Sequence, residues 1–135
     1  ASGFNVGLSL YEADLIETAR SLLERTEIPL PTDVVVAKAL SSDAEAVVKS
    51  VNKVAADEMI LDTGPESNAA MRDLLVSAKT ILWNGPVGVF EMERFAQGTI
   101  AVGNFVGQAT QNGAFSLVGG GDSVAFVVQH AKSPL

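Results

Sequence analysis

A partial doubly wound α/β fold, a parallel sheet with helices on both faces in three α/β/α layers, is the architecture this sequence predicts. Three observations predict it. Short β-branched or apolar runs at Val34–Ala37, Ile81–Trp83 and Ala114–Val118 read as buried strands. Segments with helical spacing separate them. Two glycine-rich turns follow directly on strand ends, where open α/β sheets present their ligand sites.

Ser9-Leu-Tyr-Glu12 fits a capping box, with Glu three residues after the Ser N-cap. Leu15, Ile16, Ala19, Leu22 and Leu23 then recur at helical spacing. Arg20 and Arg25 sit towards the C-terminal end, where cations suit the dipole, and Pro29 and Pro31 end the unit. Val34–Ala37 is the first strand. The stretch from Ser42 to Lys53 carries no clear period and is read as a surface excursion, and Ile60-Leu61 as a short extended piece.

Pro65 suits a first helical turn, and Met71, Leu74, Leu75 and Ala78 give the stripe of an amphipathic helix. Ile81–Trp83 is the next strand. Val102, Phe105, Val106 and Ala109 form a further helical stripe that stops at Asn112-Gly113. Ala114–Val118 is a strand, and Val124–Gln129 reads as a helix after Gly119-Gly-Gly-Asp-Ser123. Such alternation implies a Rossmann-like parallel sheet. Residues 1–135 read as a single partial domain.

The chain has 135 residues, 47% hydrophobic and 19% charged, a globular composition. No apolar run is long enough to span a membrane. Gly103 and Gly107 have GxxxG spacing, read as a small-residue helix face and not a membrane dimer motif. The start, ASGFNVGLSLYEADL, has no basic region followed by an apolar one, so no secretory signal is expected. There is no cysteine, which fits a reducing, cytoplasmic setting. The net charge of −7 comes with no Lys/Arg cluster, which disfavours nucleic acid as a partner. An anionic ligand would therefore be held by backbone N–H groups and a metal ion.

Both glycine loops, 84–88 and 119–123, are expected on one rim of the sheet, because parallel strands joined by right-handed crossovers align their carboxyl ends. Gly119, Gly120 and Gly121 let the backbone approach a ligand and lead into a helix start that favours phosphate. Asp122 serves either as a helix N-cap or as a ligand for a nucleotide-bound magnesium. Ser123 either caps or donates to a phosphate oxygen. Neither a GK[ST] P-loop nor the dinucleotide GxGxxG fingerprint is present, which argues against a dinucleotide-dependent oxidoreductase. In WNGPVGVFE, Asn84 can bond at the strand end, Gly85 and Gly88 remove side chains, and Pro86 fixes the turn. Val87 and Val89 need an apolar cover, either a planar base or the core. Glu91 either accepts from ribose hydroxyls or faces a helix dipole. His130 reads as a surface residue.

The stretches GFNVGLSLYEADL, ILDTGPES, ILWNGPVGVFEMERFAQGT and AFSLVGGGDS resemble, in order and spacing, the second half of the C-terminal, nucleotide-binding domain of phosphoglycerate kinases. The resemblance runs from about Gly3 to Ser123. It implies phosphoryl transfer between 1,3-bisphosphoglycerate and ADP, giving 3-phosphoglycerate and ATP in glycolysis, with Mg²⁺ carried on ADP or ATP. It implies that Leu61 lines the adenine pocket with Val87 on another wall, that Asn84, Gly85 and Pro86 lie beside phosphates and sugar, and that Glu91 takes the ribose. It also implies that Gly119, Gly120 and Gly121 present N–H groups to the phosphates, that Gly120 and Gly121 stabilise the transferring group, and that Asp122 binds the nucleotide's Mg²⁺. Ser123 stands where the family commonly has Thr.

The family's N-terminal domain, the first half of its nucleotide domain and its final Gly-rich loop have no counterpart here, and residues 130–135 match nothing in it. On that basis the chain alone is expected to be inactive, and 3-phosphoglycerate to be a partner only if the missing parts are supplied. The alternative reading is a non-catalytic α/β binding or scaffold module, with self-association covering an exposed sheet edge and apolar face.

Overall fold

The computed structural model describes residues 3–130. Its elements are α1 (Ile16–Arg25), β1 (Asp33–Ala37), β2 (Val47–Ser50), β3 (Met59–Thr63), α2 (Pro65–Ser77), β4 (Thr80–Asn84), α3 (Gln97–Gln111), β5 (Phe115–Gly119) and α4 (Gly121–His130). The α/β class holds, and the strands divide into two sheets. β4 and β5 pair in parallel, joined by the α3 crossover, with Thr80 opposite Phe115 and Asn84 opposite Gly119. The other three pair antiparallel in the order β2-β1-β3. Here the expectation of one parallel sheet is corrected. The connection 38–46 between the neighbours β1 and β2 is too short to carry the crossover that a parallel pair needs.

The 42–53 stretch is also more structured than its sequence suggests, because it contains β2 and a 3-10 turn at Val51–Lys53. β2 is a four-residue edge strand whose Val47 and Val48 face solvent, so it has no alternation to read. β1 is the opposite case. It is central and all five of its residues are buried, as its unbroken valine run requires.

At the N-terminal end the expected capping box does not form. The helix begins at Ile16, after a 3-10 turn, and Leu15 stands at the N-cap without a side-chain bond. The Ser9 hydroxyl instead accepts the Ile60 N–H of β3 at 2.8 Å. The stripe of α1 is present, yet none of its residues is buried, and Leu15, Leu22 and Leu23 are exposed.

The helix-ending and helix-starting signals elsewhere hold. Pro65 occupies the first turn of α2, and Gly113 leaves α3 with φ 97°. Gly103 on α3 lies against Phe126, where an added Cβ would sit 3.2 Å from the ring. Its small size therefore serves packing within the chain. Ile81, Trp83, Val106, Ala109 and Phe126 form the core beneath β4 and β5, with Trp83 and Phe90 each edge-on to Phe126. The opposite face of this pair carries Leu82, Phe115 and Leu117 in solvent. His130 is exposed and stacks on Phe126. Residues 131–135 lie outside the described residues.

Candidate functional site

Because β4 and β5 are parallel and in register, Asn84 and Gly119 end side by side, and the two glycine loops leave the sheet together. They also touch. The Gly85 N–H donates to the Ser123 hydroxyl at 2.8 Å, and a Cβ on Gly120 would lie 3.0 Å from Asn84 Oδ1. The common rim expected from the sequence is present.

Loop 84–91 is fastened from below at alternate residues. Gly85 uses Ser123, and its carbonyl accepts the Trp83 indole N–H at 2.8 Å. Val87 donates to Thr99 Oγ1 at 3.0 Å, and the same hydroxyl donates back to the Val87 carbonyl. Val89 donates to the Leu61 carbonyl at 2.9 Å. The N–H groups of 85, 87 and 89 are thus spent inside the protein. What remains on the outside is the Asn84 side chain, the Pro86 ring, half-buried, and the exposed Glu91 carboxylate.

Gly85 and Gly88 have φ of 106° and 68°, a region that suits glycine. Gly88 is further confined, since a Cβ there would come within 2.6–2.8 Å of Asp62 Oδ1 and of the Leu61 and Phe95 carbonyls.

The two apolar residues expected on walls of one pocket are not brought together. Leu61 is buried in a cluster with Phe95, against which Val89 packs. Val87 lines a separate cavity of about 110 Å³ between α2, α3 and Leu30-Pro31. The residue adjoining Leu61 is therefore Val89, which the sequence reading left undecided between ligand and core.

Loop 119–123 is built differently. Gly120 has φ 83°, and a Cβ on Gly121 would meet open space. The helix α4 begins at Gly121, and its first helical bond runs from Val124 N–H to Gly120 O at 3.1 Å. The N–H groups of Gly121, Asp122 and Ser123 precede that bond and carry the positive end of the helix dipole. Asp122 lies within the first turn and is exposed. It is not the residue before the helix, so the N-cap alternative does not apply. Ser123 is fully buried, and its hydroxyl joins the two loops. Among the described residues no group of three or more His, Cys, Asp or Glu is arranged to hold a metal. A cation at this rim would have the Asp122 carboxylate from that loop and take further oxygens from an anionic ligand, which suits magnesium.

Two buried aspartates support these elements, and the sequence did not single out either. Asp33 on β1 caps α2, accepting the N–H groups of Glu66 and Ser67 at 3.0 and 2.7 Å and the Ser67 hydroxyl at 2.6 Å. Burial pushes its carboxyl up, but the bonds from Ser67 and Glu66 outweigh that and hold it below the ordinary value. Asp62 on β3 caps α3, accepting Gly98 N–H at 3.0 Å and Thr63 N–H at 2.9 Å. Burial dominates at Asp62 and raises its carboxyl, although the N–H groups of Gly98, Thr63 and Gln97 pull against it. Both caps join residues more than 30 positions apart, which local sequence patterns do not show.

Residues 1–133 match the family described as phosphoglycerate kinase. Among solved structures, a phosphoglycerate kinase from Coxiella burnetii is 42% identical with a TM-score of 0.89, the match covering 95% of this chain and 34% of that one. A phosphoglycerate kinase from Pyrococcus horikoshii OT3 is 30% identical with a TM-score of 0.73, covering 87% of this chain and 29% of that one. The chain thus spans about a third of the length of these structures.

Proposed function

The chain belongs to the phosphoglycerate kinase family, and from that premise we propose that its rim of two glycine loops is part of a Mg-ADP/ATP site for phosphoryl transfer between 1,3-bisphosphoglycerate and ADP. The observation that carries this reading is the bond between Gly85 and Ser123, which holds the two loops as one surface. The loops divide the work. The amides of Gly85, Val87 and Val89 are used internally, so that loop supplies chiefly shape: Asn84, Gly85 and Pro86 beside sugar and phosphates, and Glu91 as acceptor for ribose hydroxyls. Leu61 and its neighbour Val89 form the apolar backing for the base, with Val87 further off.

The phosphates fall to the other loop. Gly119, Gly120 and Gly121 leave room for close approach, and the amides of the first turn of α4 face developing negative charge. Asp122 is the residue for the nucleotide's Mg²⁺, which would supply neutralisation of charge on the phosphate oxygens. Ser123 acts chiefly through the loop it anchors.

Phosphoryl transfer needs cationic groups converging from several sides. This chain, with a net charge of −7, does not bring them. On this reading it has no measurable kinase activity alone, and 3-phosphoglycerate binds only when the rest of a family chain is present. The setting is cytoplasmic, in glycolysis. Among the described residues no helix is long and apolar enough to cross a membrane.

Calorimetric titration with MgADP tests the site. Binding that weakens without Mg²⁺, and loses that dependence in Asp122→Ala, is expected. Affinity that still rises with Mg²⁺ in the variant overturns the metal assignment. A coupled assay detecting ATP from 1,3-bisphosphoglycerate and ADP with this chain alone would overturn the claim of inactivity.

The bare outer face of β4 and β5 favours a second reading, a self-associating scaffold module. Parallel sheets are normally covered on both faces, and here Leu82, Phe115 and Leu117 are exposed on one. A compact dimer in sedimentation, with no response of Trp83 fluorescence to MgADP, would favour it over the nucleotide site.

A further inference from the structure

Among the described residues Asp62 is the one strongly buried carboxylate that borders loop 84–91, and the proposed nucleotide site gives it no task. It is 3% exposed, and no Lys, Arg or His pairs with it among the described residues. A buried charge held only by N–H dipoles is costly to keep. An apolar residue would fill the space more cheaply if filling were all that was needed.

Apart from the Thr63 N–H of its own strand, its contacts lead from β3 towards the rim. Asp62 Oδ2 accepts the Gly98 N–H and so fixes the first turn of α3. The next residue, Thr99, is fully buried and grips Val87 by both its N–H and its carbonyl. Val87 lies two residues from Gly85, which is bonded to Ser123 at the start of α4. Asp62 also meets the loop directly, because its Oδ1 is the nearest atom to where Gly88 would carry a Cβ. Gly98 would collide with the same carboxylate and with the Thr63 hydroxyl if it carried a Cβ. Two glycines are thus shaped around this one side chain.

Resting on the nucleotide reading, we infer that Asp62 is a positioning residue for that site: through Gly98 and Thr99 on one side and Gly88 on the other, it sets where loop 84–91 stands relative to loop 119–123. The alternative is a plain helix cap whose influence ends at α3. The two differ in how far the loss of the carboxylate travels.

The experiment is amide exchange by NMR on the ¹⁵N-labelled full chain, comparing wild type with Asp62→Ala and Asp62→Asn. Positioning predicts that the Gly98, Val87 and Gly85 amides and the Trp83 indole all lose protection by about tenfold in Asp62→Ala, while Val36 in β1 keeps its own. Asp62→Asn, which retains one acceptor and the shape, should recover part of it. Loss confined to Gly98 overturns the inference. If Asp62→Ala does not fold, Thr99→Val interrupts the same connection one step later. Val87 and Gly85 should then lose protection while Gly98 keeps it, and an unchanged Gly85 overturns the inference. MgADP titration separates the two claims. No affinity in wild type sinks the nucleotide reading and leaves the loop claim to the exchange data. Affinity in wild type that Asp62→Asn leaves unchanged sinks the positioning role.

Discussion

Loop 84–91 and loop 119–123 leave neighbouring strands at the same level, yet they are anchored by opposite means. The first is held by groups from three other places in the chain: Leu61, Thr99 and Ser123. The second is held mainly by being the start of a helix. A loop whose amides at 85, 87 and 89 are spent inside the protein offers a ligand chiefly contour. A loop that opens a helix keeps its first amides and offers charge. The difference teaches that glycine richness alone does not mark phosphate binding, and that what matters is whether the amides are already used.

The contrast can be broken most severely at Gly88. Gly88→Ala places a methyl among three oxygens at positive φ and is expected to cost about 3 kcal/mol or more in urea unfolding. A loss below about 1 kcal/mol would mean that loop 84–91 is not confined as described. Thr99→Val leaves the Val87 N–H and carbonyl without their partner and should cost about 1–3 kcal/mol by the same measurement. In the other loop, Gly120→Ala meets only positive φ and the Asn84 side chain, and about 1 kcal/mol is expected. Gly121→Ala enters open space and should stay within about 0.5 kcal/mol. Equal costs at 88 and 121 would erase the distinction.

A pH series sharpens the comparison at its base, where the two aspartates behave oppositely. The raised carboxyl of Asp62 means that the folded chain binds more protons than the unfolded one between the ordinary aspartate value, about 3.9, and the raised folded value. Its contribution to stability therefore falls as pH rises through that window, and Asp62→Asn should remove the fall. Asp33 is lowered, so its contribution is present above the ordinary value and lost as pH drops through the folded one. Asp33→Asn should flatten that acid-side loss. Chemical denaturation at a series of pH values reads both.

Much of this was legible in the sequence. β1, β4 and β5 declared themselves by apolar runs, and α2 and α3 by their stripes together with Pro65 and Gly113. Local signals failed where a partner lay far away. Ser9 looked like a helix cap and instead completes the edge of β3. β2 has no pattern because both of its valines face solvent. Of the site, the quoted motifs picked out both loops and the family resemblance, but left Val89 undecided and passed over Asp62 and Thr99, whose partners sit 36 and 12 residues distant.

What the chain's order of residues determined by itself was therefore the set of elements with strong periodicity and the placing of glycines at the two strand ends, because spacing, φ preference and turn chemistry act over a few residues. Only the tertiary structure decided that three strands pair antiparallel, that Val89 and not Val87 adjoins Leu61, and which loop amides are already taken. Those outcomes depend on buried polar groups finding partners across the fold, and a buried donor or acceptor is satisfied by whatever the packing brings within about 3 Å, wherever that lies along the chain.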